Sequence, residues 1–89
     1  MPYIKQENRP KLDWICKNLA AELSSTQISG NLNYFLYKLF IELRRLRVIK
    51  GYKDMAAFLA ELEGCKLELY RRPIAQYEYN KMCENGDVK

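Results

Sequence analysis

Residues 32–43 read Leu-Asn-Tyr-Phe-Leu-Tyr-Lys-Leu-Phe-Ile-Glu-Leu, and nine of these twelve are apolar or aromatic. A helix on the surface of a globular domain hides one apolar stripe and wets the rest. This segment is apolar almost all round, so as a helix it needs cover on most sides. A chain of 89 residues has little with which to cover it. Tyr34, Phe35, Tyr37 and Phe40 exceed what a three-helix monomer hides, which predicts a homo-oligomer interface through this helix. The alternative is that the same four side chains form the core of a monomer.

The rest of the chain is arranged around that segment. Residues 1–8 are expected to form an extended arm. Leu12, Ile15, Cys16, Leu19, Ala20 and Leu23 then recur at helical spacing, predicting a first helix over about residues 9–24 with Asn8 as its cap and Pro10 in the first turn. After a polar connector, the second helix is expected from Ser29–Asn31 to about Val48, and Gly51 breaks the chain. A third helix runs from about Tyr52 to Arg72, with Met55, Phe58, Leu59, Leu62, Cys65, Lys66, Leu69 and Tyr70 near one face, the Lys66 stem able to lie along it. Gly64 in its middle suggests close packing against another helix. Pro73 lacks an amide hydrogen and kinks the helix, which continues from Ile74 to about Glu84 before Asn85-Gly86 stops it. The expectation is therefore all-α: a small bundle of three main helices, the third long and kinked near Pro73. Residues 1–89 are read as a single domain with one core and a short tail at 85–89.

Several classes of chemistry have no support in this sequence. It contains no His, so the commonest metal ligand and proton shuttle at neutral pH are missing. Cys16, Cys65 and Cys83 are widely separated and odd in number, which argues against a disulfide framework; Cys16 and Cys65 read as small core residues. No nucleophile–base set, glycine-rich phosphate loop or metal-ligand spacing occurs, so no catalytic residue, metal or cofactor is expected. The N-terminus has no apolar signal region, and no apolar run is long enough to span a membrane. The expected location is the cytoplasm.

Charge is distributed unevenly. Lys and Arg number 15 and Asp and Glu 11, a net charge of +4. Residues 38–53 alone hold six basic groups (Lys38, Arg44, Arg45, Arg47, Lys50, Lys53) and one acidic group, Glu42. Arg44, Arg45 and Arg47 are candidate phosphate ligands through charge and planar guanidinium forks. The same run also serves simply to solvate a helix end and oppose its dipole. A second cluster, Tyr70-Arg71-Arg72 with Tyr77, Glu78 and Lys81, flanks Pro73. A kink there would open a notch in which Tyr70 or Tyr77 stacks on a ring while Arg71, Arg72 or Lys81 holds a phosphate. The plainer alternative makes the tyrosines core contacts and Glu78–Lys81 a helix-surface ion pair.

Four segments carry a family resemblance: Met-Pro-Tyr-Ile-Lys-Gln at 1–6, Gly-Asn-Leu-Asn-Tyr at 30–34, Gly-Cys-Lys-Leu-Glu-Leu-Tyr-Arg-Arg at 64–72, and Tyr-Glu-x-x-Lys-x-x-Glu-Asn-Gly-Asp-Val at 77–88. The chain resembles a family of small uncharacterised phage and prokaryotic proteins, a domain of unknown function, that open with Met-Pro-Tyr-Ile and close with Glu-Asn-Gly-Asp-Val. Pro73 departs from that pattern, where an ordinary helix former is expected. The resemblance implies a phage or mobile-element accessory protein in the host cytoplasm. Combined with the charge map, the expected function is non-enzymatic binding of an acidic ligand such as a nucleotide signal. Two alternatives are a nucleic-acid-binding module using residues 44–53 and an interaction module that binds a host polypeptide.

Overall fold

The computed structural model describes residues 2–88; Met1 and Lys89, assigned above to the arm and the tail, lie outside the described residues. The chain is all-α, with three main helices of which the third is composite and bent. Its described residues divide into two compact units, Pro2–Met55 and residues 56–88.

In the first unit a short 3₁₀ turn, Gln6–Asn8, precedes α1 (Pro10–Ser24). The arm is thus not extended throughout, and Asn8 belongs to that turn instead of capping α1. Arg9 holds the cap position without a side-chain capping bond, and Pro10 takes the first helical position, where its missing N–H is no loss. The Arg9 guanidinium donates twice to the carbonyl of Ile4, at 2.9 and 2.7 Å, folding the arm back on the helix start. Three hydroxyls close the other end. Ser24, Ser25 and Thr26 donate to the carbonyls of Ala21, Glu22 and Leu23, competing for acceptors that the last turn leaves open.

Helix α2 (Ile28–Arg45) is entered through Ser29, which is extended, and Gly30 at φ 83°, a conformation that favours glycine. It packs on α1. Leu19 and Leu23 on α1 and Phe35, Leu36, Phe40 and Leu43 on α2 are half-buried, one stripe per helix. The other apolar residues of α2 remain in solvent, Tyr34 at 68% and Tyr37 at 66% exposure, as does Trp14 of α1 at 67%. Leu12, Ile15 and Cys16, expected on the buried face of α1, are also exposed. Periodicity says which face is apolar, not whether the chain has anything to lay against it.

Helix α2 ends earlier than expected. Apolar spacing predicts a helix to about Val48, but Arg47 adopts a left-handed φ of 63°. The Val48 amide reaches back to the Leu43 carbonyl at 2.9 Å and the Arg47 amide to Arg44 at 3.0 Å. This pair of bonds is the Schellman motif, with arginine where glycine is usual. The chain then drops Ile49 into the interior. At 6% exposure it is the one buried side chain among the described residues. The Lys50 amide donates to the Asp54 carboxylate at 3.0 Å and secures the start of the next helix.

That helix, α3 (Tyr52–Leu69), carries most of the second unit. A wide π-type turn, Tyr70–Ile74, contains Pro73 and leads directly into α4 (Ala75–Asn85). Proline cannot donate to the carbonyl four residues back, and the local widening lets the helix continue through it. Gly86, at φ 89° and ψ 150°, stops α4 in a region that glycine almost alone occupies. Cys65 and Cys83 are exposed like Cys16, so Cys16 and Cys65 are not the core residues their spacing suggested.

Candidate functional site

The structure sorts the candidate binding residues into two separate groups. Arg44, Arg45 and Arg47 lie in the first unit, at the corner between α2 and α3. Tyr70, Arg71, Arg72, Tyr77 and Lys81 lie in the second.

At the corner, Arg44 and Arg45 occupy the last turn of α2 and Arg47 the left-handed position beyond it. All three are exposed, as are Lys50 and Lys53. Arg45 is committed locally, its Nε donating to Glu42 Oε2 at 2.8 Å. That hydrogen bond and the guanidinium charge, with help from Lys38, hold the Glu42 carboxyl below its usual range. Arg44, Arg47, Lys50 and Lys53 have no carboxylate partner among the described residues. Their backbone is nonetheless fixed, because the Schellman bonds, buried Ile49 and the Lys50–Asp54 bond hold both sides of the loop. The corner therefore presents unpaired positive charge from a rigid support, which suits an anion.

The second group is arranged otherwise. Tyr70, Arg71 and Arg72 fall inside the π-type turn, where Arg71 donates from Nε and Nη2 to Glu68 at 3.0–3.2 Å. Lys81 pairs with Glu84 at 3.5 Å instead of the expected Glu78, and its ammonium stands 5.7 Å from the Tyr77 ring centre. Tyr70 and Tyr77 are exposed and do not serve as core contacts.

The expected interface residues are likewise divided. Tyr34 and Tyr37 are exposed, whereas Phe35 and Phe40 belong to the half-buried stripe. Tyr37 and Phe40 form a tilted ring pair with centres 6.2 Å apart.

The family described as Domain of unknown function (DUF6899) matches residues 1–88. The chain belongs to this family. No curated protein and no solved structure matches it. DUF6899 membership supplies no activity, so the chemistry has to be read from the side chains.

An open groove of about 450 Å³ lies between the arm and α1, lined by Pro2, Tyr3, Ile4, Arg9, Leu12, Asp13 and Cys16. It was not foreseen, because it depends on Arg9 folding the arm back. Tyr52, not among the residues expected at a site, lies between Lys50 and Lys53 just after the Gly51 break, and that placement is the sequence signal for it. No cluster of three or more potential metal ligands occurs among the described residues, and no helix there is long and apolar enough to cross a membrane.

Proposed function

We propose that this chain is a non-enzymatic helical binding protein that engages a phosphate-bearing acidic ligand at the α2–α3 corner, in the phage or mobile-element accessory role its family resemblance implies. The observation that carries this reading is the set of four unpaired cations, Arg44, Arg47, Lys50 and Lys53, on a loop pinned from both sides. Arg47 adds weight to it. A left-handed non-glycine residue costs stability, and such strain tends to persist where the side chain is needed. Calorimetric titration with tripolyphosphate and with ATP at low salt tests the proposal. Saturable binding that weakens as salt rises supports it, and absence of heat with both probes contradicts it.

A second element of the proposal is self-association. The exposed Tyr34 and Tyr37 on α2 favour it, because large apolar side chains in one region mark interaction surfaces. A second copy of the chain supplies the cover that α2 lacks. Sedimentation at high micromolar concentration distinguishes the dimer or larger assembly expected here from a 10.6 kDa monomer, which would refute it.

A further inference from the structure

We infer that the ligand of the α2–α3 corner is a single-stranded nucleic acid, with Tyr52 as a stacking platform for one base and Arg44, Arg47, Lys50 and Lys53 tracking the backbone phosphates. This rests on the anion-binding reading above and names the ligand class.

Tyr52 is 83% exposed, more than any other aromatic residue described. It opens α3 immediately after Gly51, with Lys50 and Lys53 on either side in sequence. Lys50 and Lys53 are exposed as well. A ring flanked by cations offers a base its face and the adjoining phosphate its counter-charge, the combination that single-strand binding surfaces use. Only an unstacked base can lie on such a ring, which excludes the interior of a duplex as the preferred target. The cations recur every third residue from 44 to 53, four exposed charges spread along ten residues of chain. A run suits successive phosphates of a strand better than the compact tail of one nucleotide. The corner is also held in advance by Ile49 and the Lys50–Asp54 bond, so little ordering is needed on binding.

Fluorescence anisotropy with labelled oligothymidylate of about a dozen nucleotides tests this, in parallel with a matched duplex and with ATP and tripolyphosphate as competitors. The expected result is binding of the strand in preference to the duplex. Replacing Tyr52 with Ala should weaken it about tenfold and Tyr52→Phe should restore it. The logarithm of affinity should fall with the logarithm of salt at a slope of about −3, four phosphate contacts on a single strand. Strand binding lost in Arg44→Ala/Arg47→Ala but unchanged in Tyr52→Ala would overturn the stacking role. Binding of tripolyphosphate or ATP without the strand would overturn the polymer ligand and leave the anion-binding reading standing. Failure of every probe would overturn both. Tyr52 is so exposed that its substitution should leave the helical circular dichroism unchanged, which separates lost binding from lost fold.

Discussion

The α2–α3 corner and the Tyr70–Ile74 turn both gather arginines, yet they use them in opposite ways. At the turn, Arg71 is spent on Glu68 three residues before it. At the corner, Arg45 is spent on Glu42 in the same manner, but Arg44 and Arg47 have Ile41 and Arg44 at that spacing and find no acid. At the turn the Arg71 charge is engaged by Glu68; at the corner Ile49 and the backbone bonds hold the loop, and Arg44 and Arg47 meet no carboxylate. Two similar runs of positive charge thus differ in which of their arginines meet a carboxylate: Arg71 at the turn and Arg45 at the corner do, while Arg44 and Arg47 do not.

The largest expected effect comes from removing the corner's support. Ile49→Ala should cost about 2–4 kcal/mol, since truncating a buried side chain loses its burial and leaves a cavity. Thermal denaturation measures it, and anion binding at the corner should fall with it. A change below about 0.5 kcal/mol, in the range of surface substitutions, would show that Ile49 does not hold the corner.

Arg47→Gly separates support from function. Glycine relieves the left-handed conformation and should stabilise the protein by roughly 0.5–1 kcal/mol, while anion affinity falls. Stability and binding moving together in this variant would break the distinction between a strained, functional arginine and a structural one.

These effects also mark how far the fold was legible. The three helices, the bend at Pro73 and the stop at Gly86 follow from apolar spacing, a missing amide hydrogen and a positive φ, all local properties of the chain. The end of α2 was not legible, because the residue that adopts the left-handed conformation is Arg47 and no glycine marks it. The exposure of Cys16, Cys65, Leu12 and Ile15 was not legible either, because burial depends on what lies opposite. At the candidate site, the cations were visible in sequence. Among the corner arginines only Arg45 has an acid three residues back, Glu42, and only Arg45 is paired; Tyr52 was visible but gains meaning only from its exposure.

The second unit offers a smaller test. A methyl group added at Gly64 meets no atom within 4 Å, so the close packing expected from sequence is absent there in a single chain. Gly64→Ala should therefore stabilise α3 by about 0.5–1 kcal/mol. Destabilisation would show that another helix, from a second copy, lies against that position.

The smallest effect concerns Glu42. Its carboxyl should titrate below the usual carboxylate range in the folded protein, readable by NMR, because Arg45 bonds and attracts its charged form. A folded-state pKa lowered in this way gives stabilisation that is complete above the ordinary carboxylate pKa. It is lost as the pH falls through the lower folded value. Both partners are substantially exposed, so solvent screening keeps the gain small. Arg45→Ala should return Glu42 to the ordinary range; a midpoint that does not move would show that the pair is not the cause.

The contrast between corner and turn is tested most directly by comparing two double variants in tripolyphosphate titrations at low salt. Arg44→Ala/Arg47→Ala should weaken binding about tenfold or more, while Arg71→Ala/Arg72→Ala should leave it within about twofold. Equal losses in both variants, or a loss confined to Arg71→Ala/Arg72→Ala, would contradict the placement of the anion site at the α2–α3 corner.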